Sequence, residues 1–270
     1  MFVVYLLTLM KQLPLIIGFF DGLHKGHLQL FKDLQNKKFN ILTFINIPNK
    51  QNDFIYDNRD RISHLKELHP NKIYILDLQK SNMQTMSFVN LLLKKWKPSY
   101  LIVGDDFKFG RGRLGNIEQL NKYLKVKSVN INNKFKTSIA KNYIKEGQII
   151  KANGILYKPY LINGIVIHGK QLGRKLGFKT ANIKISNKCI APKQGVYSGY
   201  TFINKKIYKS AVFVRDHLVE THLLNFNADI YGMDIKVQLH KYYGLPVKTE
   251  AFNQLKTVIG NKVKMIHKNF

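Results

Sequence analysis

The chain has 270 residues, enough for one large domain or two medium-sized ones, and 45% of its residues are hydrophobic. Such an apolar content excludes an intrinsically disordered chain, because burial of these side chains offsets the entropy lost on ordering. The single cysteine, Cys189, excludes an internal disulfide and a cysteine-rich metal site, and it fits a reducing cytoplasm. The formal net charge of +28 favours anionic partners.

The first apolar stretch, residues 2–10, ends at Lys11 and is too short to cross a membrane. No positive charge precedes it, as a signal peptide would require, so a buried edge strand is expected. The lysines of the chain are spread through every segment rather than gathered in one patch. We therefore expect neither a membrane partner nor a specific nucleic-acid partner.

The first half of the chain alternates short apolar runs with amphipathic segments. Buried strands are expected at 13–19, 40–44, 73–76 and 100–103, and helices at 26–34, 59–68 and 87–95. Strands that alternate with helices predict crossover units and a parallel sheet covered on both faces.

The second half of the chain has strands without intervening helices. They are expected at 161–168, 195–202, 207–214, 220–224 and 234–240, followed by a closing helix at 250–267. This order predicts an antiparallel sandwich or barrel. Because Pro159 ends the preceding helix, the predicted domains are residues 1–158 and 159–270.

The segment Gly18–His27 joins a buried strand to a helix, so that free backbone N–H groups and the helix dipole point outward. Its glycines allow the backbone to approach a phosphate closely. His24 and His27 can donate hydrogen bonds to phosphate oxygens and offset the charge on a leaving pyrophosphate.

A second block, Val103–Gly110, follows a predicted strand at the carboxyl edge of the sheet, where ligands bind in open α/β folds. It offers the carboxylate of Asp106, the aromatic rings of Phe107 and Phe109, and flexible glycines. Aromatic faces can hold a planar ring, and Asp106 can accept hydrogen bonds from it.

A third block, Gly164–Ile183, combines a strand with a loop in which glycines alternate with basic residues. That composition suits a backbone cradle for a polyphosphate. Thr180 and Asn182 are two positions apart, so they share one face of an extended strand. Their oxygen atoms suit Mg²⁺ beside bound phosphates.

The segment Gly18–His27 resembles the H-x-G-H signature of the nucleotidylyltransferase superfamily, in the form found in FAD synthetase domains. Gly164–Ile183 resembles the riboflavin kinase signature, and Val219–Phe226 is similar to the E-x-H-L-L-D-F pattern of the same domain. Residues 136–141 correspond to a phosphate-contacting stretch, with Lys141 in place of an arginine. The chain as a whole resembles the bacterial bifunctional riboflavin kinase/FAD synthetases.

The resemblance implies an N-terminal α/β nucleotidylyltransferase domain, a C-terminal β-barrel kinase domain and a set of site residues. Catalysis is expected from Glu220 as general base in the kinase domain, and from His24 and His27 in the other domain. The expected nucleotide-binding residues are Gly18, Phe19, Asp21, Gly26, Ser138, Lys141, Gly169, Gly173, Arg174, Thr180 and Asn182. The expected flavin-binding residues are Asp106, Phe107 and Phe109, and the expected metal ligands are Thr180 and Asn182.

The implied function is flavin cofactor synthesis in the cytoplasm, with riboflavin, FMN, FAD and ATP as ligands, Mg²⁺ as cofactor and a weak homo-oligomer as a possible assembly. Two alternatives remain open at this point. One is a riboflavin kinase whose N-terminal domain has lost adenylyl transfer. The other is a basic nucleic-acid-binding protein built on former enzyme domains.

Overall fold

The computed structural model describes residues 12–48, 53–81, 83–168, 180–223, 226 and 228–245. The expected strand at 2–10, the expected helix at 250–267 and the residues Gly169, Gly173 and Arg174 lie outside this part of the chain. The described residues form two compact units. The first unit consists of the described residues within 1–20, 26–51 and 62–132, and the second consists of those within 21–25, 52–61 and 133–270.

The first unit contains a five-stranded parallel sheet, with its strands in the order β3-β2-β1-β4-β5. The strands are β1 (Leu15–Ile17), β2 (Asn40–Ile45), β3 (Lys72–Asp77), β4 (Leu101–Gly104) and β5 (Val126–Val129). This confirms the predicted parallel sheet. From β1 the chain adds strands first on one side and then on the other, so that β1 and β4 meet where the order reverses.

The helices between these strands are mostly short. They are α1 (Lys25–Leu28), which continues as a 3-10 helix over Gln29–Leu34, α2 (Asn58–Lys66), α3 (Thr85–Leu91), which continues as a π-helix over Leu92–Trp96, and α4 (Ile117–Asn121). A hydrophobic core joins the sheet to α3, with Leu15, Leu42 and Leu101 on the sheet side and Phe88 and Leu92 opposite them. Among the described residues, no helix is both long and apolar enough to cross a membrane.

The second unit is built around a nearly closed barrel of six antiparallel strands, in the order β6-β11-β8-β9-β10-β7. The strands are β6 (Leu161–Ile165), β7 (Thr180–Lys184), β8 (Gly195–Ile203), β9 (Lys206–Arg215), β10 (Leu218–Leu223) and β11 (Asp234–Tyr242). A single bridge between Ile167 and Asn182 links the segment after β6 to β7. The predicted antiparallel class is therefore confirmed.

The turn between β8 and β9 shows how the local sequence sets the barrel register. Asn204 and Lys205 have φ values of +45° and +68°, and Ile203 pairs with Lys206 across the turn. Two consecutive residues with positive φ form the hairpin turn whose twist matches that of the strands. Asparagine tolerates this conformation, which favours a turn at this position. Because the turn has two residues, it fixes the register of β8 and β9 and thereby which side chains face the barrel interior.

Two helices, α5 (Thr137–Lys145) and α6 (Ile149–Ile155), also belong to the second unit. The helix α6 is the one expected before Pro159, whereas α5 was not predicted from the sequence patterns. Their apolar faces join the barrel core, which also contains Ile55 and Tyr56 from the segment before α2. The ring of Tyr56 stacks on that of Tyr160 with centroids 5.9 Å apart. One continuous hydrophobic core therefore supports the helices, the segment before α2 and the barrel.

Candidate nucleotide and flavin sites

A cavity of about 600 Å³ opens in the first unit where β1 and β4 end. This is the place where the strand order reverses, the usual ligand crevice of an open parallel sheet. Two predicted binding segments, Gly18–His27 and Val103–Gly110, contribute residues to it. The lining residues include Gly18, Phe19, His27, Phe44, Ile47, Asp106, Phe107, Lys108, Phe109 and Arg113.

The aromatic wall of this cavity consists of two nearly parallel rings. The centroids of Phe107 and Phe109 lie 6.0 Å apart with an interplanar angle of 15°, and Phe109 also packs on Phe88 at 5.3 Å. Phe109 is only 5% exposed, whereas Phe107 is half-buried and Asp106 is exposed. Phe109 thus supports the wall from behind, and Phe107 and Asp106 are open to a planar ligand.

Gly115 maintains the position of Phe109. A Cβ at this glycine would lie 2.6 Å from a ring atom of Phe109, closer than carbon atoms approach one another. If the wall holds the flavin that the sequence resemblance implies, Gly115→Ala should displace the ring, lower the free energy of unfolding by about 1–3 kcal/mol and raise KM for FMN. Chemical denaturation and initial-rate assays measure these effects. A normal KM for FMN in this variant would contradict the role of the wall.

The matched control for Gly115→Ala is Gly154→Ala. The position lies in α6, and an added Cβ would meet nothing within 4 Å. Alanine is also a better helix former than glycine, so we expect this variant to be at least as stable as the parent.

Within the segment Gly18–His27, packing around the ring of Phe20 fixes the local structure in the first unit. Phe20 has a φ of +59°, unusual for a residue with a bulky side chain, and a Cβ on Gly18 would lie 2.6 Å from its ring. Gly18 is therefore required for packing in addition to any approach to a phosphate. His27 is half-buried, and its ring meets that of Phe20 edge-on at 5.3 Å, so that it is oriented as part of the cavity lining.

The residues Asp21–Lys25 of the same motif belong to the second unit. His24 is 3% exposed, and its Nε2 lies 3.2 Å from Oγ1 of Thr137 at the start of α5. Thr137 donates a hydrogen bond to the carbonyl oxygen of Asp21 at 3.3 Å. Burial lowers the pKa of His24 to about 4, although a backbone hydrogen bond opposes this change. His24 is therefore a neutral imidazole at pH 7, able to donate from one nitrogen only.

The lowered pKa of His24 predicts a loss of stability in mild acid. The unfolded chain binds a proton near pH 6.5, whereas the folded chain does so only near pH 4. This contribution to stability is complete above pH 6.5 and is lost as the pH falls towards 4, with about 2 kcal/mol lost between pH 7 and pH 5. Urea unfolding at both pH values measures it. His24→Gln should remove this part of the pH dependence, and an unchanged dependence would contradict the assignment.

Asp21 and Lys141 are the buried members of an ionic cluster in the second unit. Asp21 is 2% exposed and accepts hydrogen bonds from the N–H groups of Ile55 at 2.9 Å and Tyr56 at 3.4 Å. Its Oδ2 lies 3.5 Å from Nζ of Lys141, which also contacts Asp53 at 3.0 Å. These contacts give Asp21 a positioning role, and its predicted nucleotide contact stays a prediction.

Two other predicted nucleotide-binding residues have simpler surroundings. Ser138 is exposed on the first turn of α5, and Gly26 is buried within α1. Asp53 and Lys145, the remaining members of the ionic cluster, were not singled out from the sequence. A charged pair separated by about 90 residues leaves no pattern in the chain.

The kinase candidates lie on one face of the β7–β10 pair. Glu220 is half-buried and stands directly opposite Asn182 on β7 and Phe213 on β9. Burial raises the pKa of Glu220, and the positive charge of Arg215 acts in the opposite direction. Thr180 is paired with His222, two residues from the Asn182–Glu220 pair. Positions 180 and 182 therefore share one face of β7.

An exposed aromatic pair lies near this face, and the sequence analysis did not assign it to the site. The rings of His168 and Tyr231 stack at 3.7 Å with an interplanar angle of 20°. The N–H of Ile167 donates to the carbonyl oxygen of Asn182, and that of Gly232 donates to Val166, so both rings are held close to β7. The position of Tyr231 shortly after the matched segment Val219–Phe226 is the signal in the sequence that could have indicated this pair.

Together these arrangements define a class of protein, an enzyme that transfers phosphorus-containing groups from a nucleotide. A model of the FAD synthetase family matches residues 9–148, and a model of the riboflavin kinase family matches residues 156–270. The chain belongs to the family of bifunctional riboflavin kinase/FMN adenylyltransferases. Since both parts match, neither a riboflavin kinase whose N-terminal domain has lost adenylyl transfer nor a nucleic-acid-binding protein is favoured.

Curated relatives are similar in sequence over nearly the whole chain. The bifunctional riboflavin kinase/FMN adenylyltransferase of Mycoplasma pneumoniae is 30% identical, over 96% of this chain and 98% of that protein. The enzyme of the same name from Buchnera aphidicola is 33% identical, over 94% and 93%. The trifunctional protein RibF/MnmA of Mycoplasmoides gallisepticum is 36% identical over 94% of this chain, which spans 39% of that longer protein.

A solved structure supports the fold alone. The macrolide-efflux protein from Streptococcus pneumoniae, as its structure is named, has a TM-score of 0.84 over 96% of this chain and 94% of that one. Its sequence is 23% identical, which is enough to support the shared architecture but carries no function to this chain.

Proposed function

We propose that the chain phosphorylates riboflavin to FMN on the barrel and transfers an adenylyl group from ATP to FMN to form FAD. The observation that carries the proposal is the register of the neighbouring strands β10 and β7, in which Glu220 is paired with Asn182, a residue with an amide oxygen. A half-buried carboxylate with a raised pKa beside a hard oxygen donor suits proton removal next to a polyphosphate.

In the phosphorylation step, Glu220 takes the proton from the 5′-hydroxyl of riboflavin. The hydroxyl oxygen forms a bond to the γ-phosphorus of ATP, the bond from that phosphorus to the bridging oxygen breaks, and ADP leaves. The raised pKa of Glu220 makes it a stronger base than an exposed glutamate. Its position on a central strand, paired on both sides, limits its motion.

In the adenylylation step, a phosphate oxygen of FMN forms a bond to the α-phosphorus of ATP, and pyrophosphate leaves. The step requires alignment and charge neutralisation rather than a covalent nucleophile. The isoalloxazine ring is assigned to the cavity beside Phe107 and Asp106, with Phe109 behind them. His27, which lines the same cavity, donates a hydrogen bond to a phosphate oxygen.

Mg²⁺ is assigned to the kinase face, with Asn182 and Thr180 as its protein ligands. The fit rests on the chemistry of the donors: the amide oxygen of a buried asparagine beside a carboxylate suits a hard cation. When bound, the ion would reduce the negative charge of the ATP phosphates. Gly169, Gly173 and Arg174 keep their predicted roles in the phosphate loop.

One assay tests both reactions. Purified chain is incubated with riboflavin, ATP and Mg²⁺, and the flavins are separated by chromatography. We expect FMN to appear first and FAD to follow. Accumulation of FMN without FAD would remove the adenylyl transfer, and the absence of any flavin product would overturn the proposal. We also propose that the boundary between the two domains lies between residues 158 and 159. The chain is further proposed to act in the cytoplasm, where ATP is available, and to form a weak homo-oligomer.

A further inference from the structure

An exposed carboxylate bridges two lysines on one face of α5. Oδ2 of Asp53 lies 3.0 Å from Nζ of Lys141, and Oδ1 lies 3.0 Å from Nζ of Lys145. The two lysines are four residues apart, as are Thr137 and Lys141, so all three side chains share one helix face. That face carries the hydroxyl that contacts His24.

Asp53 is held in this position by an uncommon backbone. Its φ is +137°, a conformation that residues with a side chain rarely adopt. The N–H groups of Asp53 and Phe54 both donate to the carbonyl oxygen of Lys188 at 3.0 Å, which fixes the strained segment. Strain of this kind is concentrated at functional positions.

The carboxylate is ionised and accessible to solutes. Partial burial raises the pKa of Asp53, but the hydrogen bonds and positive charges of Lys145 and Lys141 outweigh this effect and lower the pKa overall. The side chain of Asp53 is 47% exposed, whereas that of Lys141 is 9% exposed. A soluble anion can therefore approach the two ammonium groups from the side that Asp53 now covers.

We propose that Asp53 occupies the position of a phosphate group on α5 and competes with polyphosphates, the phosphates of ATP and of pyrophosphate, for Lys141 and Lys145. The inference rests on the proposed function, in which Lys141 contacts phosphate. With Asp53 in place, two lysines face the two carboxylates of Asp21 and Asp53 and the local charge is balanced. Displacement of Asp53 leaves an excess positive charge that a polyphosphate neutralises.

The consequence for the enzyme is weaker binding of ATP and faster release of pyrophosphate than the two lysines alone would give. An ion pair that water reaches is weak, so a multiply charged phosphate can displace Asp53. Lys141 keeps its contact with buried Asp21 during the exchange. Asp53 thus acts as an internal competitor that limits product retention.

Calorimetric titration of the full chain with inorganic pyrophosphate tests the proposal. Asp53→Asn removes the charge, and Asp53→Gly also relieves the strained φ, so one of the two remains informative if the other folds poorly. We expect both to bind pyrophosphate about three- to fivefold more tightly, the effect of an exposed ion pair. The gain should disappear when Lys145→Gln is added. Asp216→Asn, an exposed residue in the turn before β10, is the control and should change nothing.

Unchanged or weaker pyrophosphate binding in both Asp53 variants would overturn the inference, as would the absence of measurable binding to the parent chain. The outcome is separate from that of the proposed function. Normal FAD formation with no effect of Asp53 defeats this inference alone. Tighter pyrophosphate binding in a chain that forms no FAD supports the competitor and defeats adenylyl transfer.

Discussion

Glu220→Gln is expected to lower kcat for riboflavin phosphorylation by about 10²–10⁴-fold, the usual contribution of a positioned general base. Glutamine has nearly the same shape, so the strand pairing with Asn182 and Phe213 should persist. FAD formation from added FMN should continue at the parental rate. Initial rates with riboflavin and with FMN as alternative substrates measure the two effects.

The matched control is Asp216→Asn, which makes the same carboxylate-to-amide change in an exposed turn. The pH profile gives a second readout. Because burial raises the pKa of Glu220, phosphorylation by the parent chain should decline as the pH falls through a value above that of an ordinary glutamate. The decline should be absent in Glu220→Gln. Phosphorylation at parental rates in this variant would show that another group accepts the proton.

His27→Ala is expected to reduce FAD formation by about 10²–10³-fold, since loss of one donor to a developing phosphate charge costs this much in comparable sites. The side chain is half-buried and lines the cavity of the first unit, so its removal leaves the sheet intact. FMN formation from riboflavin should be unaffected. Single-turnover assays with FMN and ATP distinguish a slower chemical step from slower product release.

His69→Asn is the control for this change. His69 is exposed in the same unit at a φ of +52°, a conformation that asparagine also tolerates. This variant should form FAD normally. If His27→Ala also forms FAD normally, the phosphate contact must come from elsewhere, and the motif would have a purely architectural role in this chain.

The strand patterns of the sequence were sufficient for the two fold classes, because hydrophobic alternation and turn residues act locally. The hairpin at Asn204 and Lys205 is an example, since its turn type follows from two adjacent residues. The cavity was also foreseeable in outline. Gly18 lies at the end of one predicted strand and Asp106 follows another, and such ends of parallel strands share one edge of the sheet.

The surroundings of the site residues could not be predicted in the same way. The burial of His24 and its contact with Thr137 join positions 113 residues apart, so no local pattern reports its lowered pKa. The role of Asp21 as an acceptor for the N–H groups of Ile55 and Tyr56 depends equally on distant segments. Helix α5 was missed because it buries its apolar face against the barrel, where tertiary packing decides the structure.

The hydrophobic core of the second unit supports motifs that lie far apart in the sequence. Ala140, which lies in α5 beside the expected phosphate-binding residues Ser138 and Lys141, and Val219, which is next to Glu220, belong to the same packed interior. A substitution in that interior that loosens one motif disturbs the support of the other. Both reactions therefore depend on the same apolar residues, and a substitution among these residues is expected to affect both.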